Sequence, residues 1–282
     1  MGIVGIDIGG SSVKAVRLGA ADAHTRVESR AEIAEPSPDH ISAAFREISR
    51  SLPIEPTDRV AVCLPGLIDR SSGIVLRASN LPRMIGVSPT DLVRESIGIM
   101  PARVMTDAAA WGLGVLEREK LQGRLLVLAI GTGVGAAFMV HGQAVTLDGV
   151  TPGHVGMIDV ALGEADPPRT GDGTPGVLEA YVGRHTLSAR FGNDRLADAI
   201  ARLDAGDPAI RALAKALRIC HAIYKPDAIR LVGGVGAMLT PCLQLIETQT
   251  RDGLSRVAQN AWTLDAIDDI FLAAQGAARS IR

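Results

Sequence analysis

The chain has 282 residues, 47% of them hydrophobic and only 3% aromatic, with a formal net charge of −2. That length and apolar content suit two medium cores filled by Ala, Val, Leu and Ile, and the near-neutral charge without any Lys/Arg run excludes an electrostatic nucleic-acid or anionic-membrane surface. Cys63, Cys220 and Cys242 lie in apolar sequence and read as reduced, buried side chains of a soluble cytoplasmic protein, and no basic signal region precedes the first strand.

Ile3 to Ile8 and Val13 to Leu18 read as a strand pair joined by Gly9, Gly10, Ser11 and Ser12. The glycines can turn backbone N–H groups outward and the serines add hydroxyls, so the turn is either a phosphate cradle or an ordinary glycine-rich hairpin. Thr25 to Ala34 alternates well enough for a third strand. Ile41, Ala44, Phe45, Ile48 and Leu52 mark an amphipathic helix that Pro53 and Pro56 close. Arg59 to Leu64 reads as a buried strand ending at Pro65-Gly66, Ile74 to Leu76 as a short strand, and Asn80 to Pro82 as a loop. Thr90 to Ile97 reads as a short helix and Ala102 to Met105 as a strand that runs through Thr106 into the helix Ala108 to Glu119. Asp107 stands at that strand end, where α/β folds place chemistry, and it is equally suited to cap the helix.

From Leu125 the plan repeats, because LLVLAIGTGVGAAFMV is again a buried strand, a glycine turn (Gly131, Thr132, Gly133, Gly135) and a returning strand. Two such hairpins half a chain apart imply two related α/β domains that grip one polyphosphate. The run is too short and too interrupted for a membrane span. Asp148 to Gly176 is a long Gly- and Pro-rich loop flanked by His154 and Glu179, of the kind that is functional or disordered. Helices are expected over Leu178 to Arg190, Arg195 to Ala205 and Pro208 to Tyr224. A strand over Ala228 to Val232 follows, and Gly233-Gly234 after it either admits a flat adenine or makes a tight strand-to-helix turn. Helices Thr240 to Gln249 and Ile270 to Arg282 end the chain.

The motifs GIDIGGSSVKAV, CLPGLID, SNLP, VMTDAAAWGLG, AIGTGVGAAF, PGHVG, GVLEAYVG and LVGGVG occur in the order found in bacterial sugar kinases of the ROK (repressor, open reading frame, kinase) family, glucokinases among them, and the chain resembles that family over nearly its whole length. The resemblance implies a two-domain actin-like ATPase fold, ribonuclease-H-like in each α/β domain, with an interdomain cleft. The first domain would take 1–106 together with the C-terminal helix 268–282, and the second 107–267.

It further implies an ATP-dependent kinase acting on a hexose or related sugar. Asp107 would be the general base, and Gly66, Asn80, Asp107, His154 and Glu179 would contact the sugar. Gly9, Gly10, Ser11, Ser12, Thr132 and Gly133 would hold the ATP phosphates, Gly233 and Gly234 would flank the adenosine, and Asp7 would bind Mg²⁺ through water. A homodimer is expected, with a small-molecule substrate and neither nucleic acid nor membrane as partner. Three positions depart from the family pattern. The cysteines of its zinc segment are replaced across Thr170 to Val177, so zinc is not expected; Thr151 replaces a glutamate and Thr106 an asparagine. Repressors of the family carry a helix-turn-helix ahead of the first hairpin, and a first strand starting at the second or third residue leaves no room for one. The alternative is a catalytically weak or silent sugar-binding regulator of the same fold, without DNA binding.

Overall fold

The computed structural model describes residues 1–19, 24–29, 36–69, 71–78, 80–146 and 154–282. The chain forms two compact units, one of Met1–Leu121 with Phe271–Arg282 and the other of Gln122–Ile270.

In the first unit, β1 (Ile3–Ile8) and β2 (Val13–Leu18) form the expected hairpin, followed by β3 (Thr25–Glu28), α1 (Pro38–Ser51) and β4 (Arg59–Leu64). A small two-stranded sheet, β5 (Leu67–Ile68) with β6 (Val75–Arg77), precedes α2 (Pro89–Ile97), β7 (Arg103–Thr106) and α3 (Asp107–Glu119). The main sheet has the order β3-β2-β1-β4-β7, antiparallel across the hairpin and parallel from β1 to β7. Strand alternation decides what covers each face. Val60, Val62 and Leu64 of β4 point to one side and meet Ile41, Phe45 and Ile48 of α1. Ala61 and Cys63 point to the other, against Ala110 of α3 and Ala273 and Ala277 of α10 (Leu272–Arg279).

That second face is built from small residues because backbones meet there. A Cβ on Gly276 would lie 1.8 Å from the Ala110 carbonyl oxygen, and one on Gly5 would lie 1.9 Å from the Ala274 carbonyl oxygen. The close crossing explains why α3 belongs to the first unit, so that the division falls after Leu121 and not at Thr106. The last helix is also shorter than the expected Ile270 to Arg282.

The second unit repeats the sheet. It comprises β8 (Arg124–Ile130), β9 (Val134–Val140), β10 (Gln143–Ala144), β11 (Ala228–Val232) and β12 (Thr263–Ala266), in the order β10-β9-β8-β11-β12. Its helices are α4 (Leu178–Val182), α5 (Arg184–Phe191), α6 (Leu196–Ile200), α7 (Pro208–Tyr224), α8 (Gly233–Met238) and α9 (Leu243–Asp252). Leu126, Leu128 and Ile130 of β8 pack with Leu213, Leu217 and Cys220 of α7 in the core.

The helix expected over Leu178 to Arg190 is two helices, broken at Gly183, where an added Cβ would lie 2.7 Å from the Glu179 carbonyl oxygen. The helix expected over Arg195 to Ala205 is the short α6, and Thr240–Cys242 is a separate 3-10 turn before α9. All three cysteines are free and buried. Residues 30–34 of the expected third strand, Ser79, and 148–153 of the long loop, with Thr151, lie outside the described residues. No helix among the described residues is long and apolar enough to cross a membrane.

Candidate active site

Asp7 is the second-last residue of β1, where the strand register sets it opposite Lys14 on β2 and Cys63 on β4. Its carboxylate is 7% exposed and accepts a long hydrogen bond from the Cys63 thiol at 3.5 Å. Burial pushes its pKa up, against the pull of the Lys14 ammonium and the Cys63 hydrogen bond. Burial also pushes the Cys63 thiol well up, with the Asp7 and Asp107 charges adding to it, so this cysteine is a proton-bearing donor and not a nucleophile.

Asp107 opens α3 immediately after β7. The cap of that helix is Thr106, whose hydroxyl accepts the Ala109 N–H, while the Asp107 carboxylate accepts the Ala108 N–H at 2.7 Å. Thr106 thus fills the capping role that sequence left open for Asp107. Burial first, and the Asp7 charge second, raise the Asp107 pKa to about 6, partly opposed by the backbone hydrogen bonds. Two carboxylates whose charges repel across a strand-end site are an arrangement for proton transfer or cation binding.

The Gly9–Ser12 turn is closed by the Gly9 N–H donating to the Ser12 carbonyl at 3.0 Å, which leaves the Gly10 and Ser11 region facing outward. A Cβ on Gly10 would come 3.0 Å from the Asn80 carbonyl oxygen, so the expected sugar residue Asn80 lies beside the expected phosphate turn. The inner side of the turn borders a small pocket lined by Gly9, Ser11, Ser12, Ser29 and His40, among others. Gly66 follows β4 at φ 116°, and a Cβ there would be 2.2 Å from the Arg77 carbonyl oxygen, so the position requires glycine. The β4–β7 register pairs Leu64 with Thr106, so Gly66 and Asp107 emerge at the same sheet edge.

In the second unit, the Gly131 N–H donates to the Gly133 carbonyl at 2.9 Å, leaving Thr132 exposed at the tip of the second glycine turn. Glu179, near the start of α4, accepts the Val134 N–H at 2.9 Å and so sits against the foot of that turn. Its pKa is raised by burial and by the Asp172 charge, while the Val134 hydrogen bond and the His154 charge lower it. Gly233 at φ 82° turns β11 into α8, and a Cβ there would lie 2.7 Å from the Ile130 carbonyl oxygen at the end of β8. Gly234 is exposed beside the Arg184 guanidinium.

The first unit therefore collects Asp7, Gly9, Gly10, Ser11, Ser12, Asn80 and Asp107, with Gly66 at the same edge. The second collects Thr132, Gly133, His154, Glu179, Gly233 and Gly234. Sequence reading passed over Lys14, Glu28 and Arg184. A cation inside the otherwise apolar VKAV run was the signal available for Lys14. Among the described residues no three His, Cys, Asp or Glu side chains are placed to hold a metal. Mg²⁺ needs only one or two carboxylates besides phosphate and water, and the buried Asp7 fits that requirement.

A curated relative, the glucokinase of Thermotoga maritima, is 27% identical over 272 residues, covering 83% of this chain and 82% of the relative. The ROK family glucokinase of Streptomyces griseus, solved with glucose and AMPPNP, superposes with a TM-score of 0.75 at 20% identity, covering 99% of each chain. A ROK family transcriptional regulator, a homologue of the E. coli MLC protein, superposes with a TM-score of 0.73 at 17% identity, over 98% of this chain and 76% of the regulator. These neighbours have the actin-like ATPase fold, and this chain shares it. The sequence profile of the ROK family matches residues 3–280, across both sheets and every site residue described above, and the chain belongs to that family.

Proposed function

We propose that the chain is an ATP-dependent carbohydrate kinase that transfers the γ-phosphoryl group to a hydroxyl of a hexose or related sugar. The observation that carries this reading is Asp107, a half-buried carboxylate at a strand end with a pKa raised to about 6 beside the charge of Asp7. Such a group is ionised at neutral pH yet basic enough to accept a hydroxyl proton. As the sugar oxygen bonds to the γ-phosphorus and the bond from phosphorus to the β,γ-bridging oxygen breaks, its proton passes to Asp107 and ADP leaves with the electron pair. Sugar contacts are assigned to Gly66, Asn80, Asp107, His154 and Glu179. Gly9, Gly10, Ser11, Ser12, Thr132 and Gly133 are assigned to the phosphates, and Gly233 and Gly234 to the adenosine. Asp7 would hold Mg²⁺ through water, and the ion would supply charge neutralisation on the phosphates. The named relatives that phosphorylate glucose support the substrate class.

The regulator of the same fold favours a second reading, a sugar-binding protein without turnover. ADP release measured over a panel of hexoses and amino sugars, with ATP and Mg²⁺, separates the two. Mg²⁺-dependent ADP formation with at least one sugar is expected. Saturable sugar binding with no ADP from any member of the panel overturns the kinase in favour of the sensor.

A further inference from the structure

Two charged side chains at the root of the first glycine turn, Lys14 and Glu28, are unaccounted for by the roles above, and both meet Ser12. Lys14 faces Asp7 across the β1–β2 pair, and its side chain is 14% exposed. Its ammonium donates to the Ser12 hydroxyl at 2.8 Å, and the Ser12 hydroxyl donates in turn to Glu28 Oε1 at 2.6 Å. The same carboxylate oxygen lies 3.6 Å from Lys14 Nζ. One anionic oxygen therefore accepts the hydroxyl's hydrogen bond with the ammonium at ion-pair distance, beside a turn whose backbone the ammonium approaches, since a Cβ on Gly9 would lie 3.8 Å from Nζ. A hydroxyl and an ammonium converging on one oxygen are the donors that a phosphate oxygen takes.

We propose that Lys14 is a ligand for the phosphate chain of the donor, and that Glu28 and the donor phosphate compete for it and for the Ser12 hydroxyl. The proposal rests on the kinase reading and extends it. Lys14 suits the part because its strand is the second of the sheet, its stem is covered, and its register partner is the buried Asp7. Glu28 suits the part of a displaceable partner, because it lies on the edge strand β3 with its side chain 39% exposed. An ion pair so open to water contributes little and is readily exchanged for a multiply charged phosphate. The alternative is that Glu28 merely buttresses the lysine, and the two ideas differ in sign. If Glu28 competes, neutralising it strengthens phosphate binding; if it buttresses, neutralising it weakens binding or changes nothing.

Calorimetric titration of the full chain with Mg²⁺-AMPPNP, Mg²⁺-triphosphate and AMP tests this. For Glu28→Gln, the AMPPNP Kd is expected to fall about threefold or more, with AMP unchanged. For Lys14→Met, the AMPPNP and triphosphate Kd should rise about tenfold to a hundredfold, as for a lost charge-assisted hydrogen bond, with AMP little affected and Lys14→Arg intermediate. Should Lys14→Met fail to fold, the sign of the Glu28→Gln change decides. Unchanged or weaker AMPPNP binding by Glu28→Gln overturns the competition, and equal loss of AMP and AMPPNP by Lys14→Met overturns the phosphate role, each with the kinase reading intact. A wild-type chain that binds neither AMPPNP nor triphosphate overturns the kinase reading and this proposal together.

Discussion

Where β1 carries Asp7, the equivalent register position of β8 is Ala129; where β2 carries Lys14, β9 carries Gly135; and where β4 carries Cys63, β11 carries Val232. The two sheets share strand order, hairpin and parallel extension, and both turns close with a glycine N–H donating back across the turn at about the same distance. At these three matched positions only the first sheet has ionisable groups. The topology supplies a glycine turn at the head of a hairpin twice over, whereas at these positions ionisable groups were added beside only one of them. In the second unit the corresponding work falls to a side chain from outside the sheet, Glu179, which braces the turn through the Val134 N–H. A fold thus provides positions, and function depends on which of them hold charge.

The largest expected effect tests whether charge at the first sheet is what makes the chain an enzyme. Asp107→Asn keeps size and shape but removes the base, so turnover should fall about 10²- to 10⁴-fold. Because burial and the Asp7 charge disfavour the ionised carboxylate, the amide should leave the thermal midpoint unchanged or raise it. In the wild type, activity should rise with pH through about 6 as Asp107 deprotonates, and Mg²⁺ near Asp7 should move that limb lower by screening the second carboxylate. Steady-state rates from pH 5 to 8, with a melting curve for each protein, check this. Near-normal turnover by a folded Asp107→Asn protein would remove the base.

The repeated scaffold was legible in the sequence because glycine turns between apolar runs are a local signal, and so the two hairpins, α1, β4, α7 and β11 were all recoverable. Elements defined by tertiary contact were not. Thr263–Ala266 is a short, half-exposed TLDA run that becomes β12 only because β11 offers it an edge in parallel register. The helical pattern breaks at Gly183, whose backbone is extended at φ −65° and ψ 146°, and the crowding of a Cβ against the Glu179 carbonyl explains why that residue is glycine; no spacing rule encodes either. At the site, Asp107 was visible as a carboxylate following a strand, but its freedom from capping duty depends on Thr106, a residue that sequence recorded only as a departure. Lys14 was hidden because a lone lysine in a strand ordinarily faces water. Its register opposite a buried aspartate is information about pairing, not about the residue itself.

Acid should push the two units in opposite directions. His221 on α7 is 1% exposed, with its ring 4.6 Å from that of Trp262, and burial, aided by the Arg251 charge, lowers its pKa to about 4. A folded pKa below the unfolded value of about 6.5 means that the unfolded chain takes the proton first. The contribution is intact above pH 6.5 and is lost as pH falls toward 4, by at most about 3 kcal/mol. Asp7 and Asp107 have the opposite sign. Their pKa values are raised, so protonation on acidification relieves a cost that they impose at neutral pH. Hydrogen exchange resolved by segment at pH 7 and pH 5 should show α7 losing protection while β1 and α3 hold theirs, and His221→Phe should flatten the response of α7. Equal losses in both units would break the contrast.

The smallest expected effect concerns a loop that only the second unit has. Between Arg169 and Pro175 the chain turns back on itself, with Thr170 N–H donating to the Thr174 carbonyl at 2.9 Å and Gly173 N–H to the Thr170 carbonyl at 2.9 Å. The Asp172 carboxylate gathers the Thr170 hydroxyl, the Thr174 hydroxyl at 3.0 Å and the Thr174 N–H at 3.3 Å, and these bonds hold its pKa below the ordinary carboxylate range. This is where the family pattern has zinc-binding cysteines, and here the turn is closed by hydrogen bonds of a kind that a metal would otherwise replace. A structural zinc is worth about 10 kcal/mol or more to a small metal-dependent fold, so its removal would be conspicuous. For this chain, prolonged incubation with EDTA and phenanthroline should leave the thermal midpoint unchanged, and metal analysis should find no stoichiometric zinc. Asp172→Ala, in contrast, should cost at most about 1 kcal/mol, since water replaces its exposed bonds to Thr174 and the buried Thr170 hydroxyl keeps the Thr174 carbonyl as an acceptor. A midpoint that drops on chelation and recovers with added zinc would show that other ligands hold the metal, and that the second unit depends on more than its sheet and its hydrogen-bonded turn.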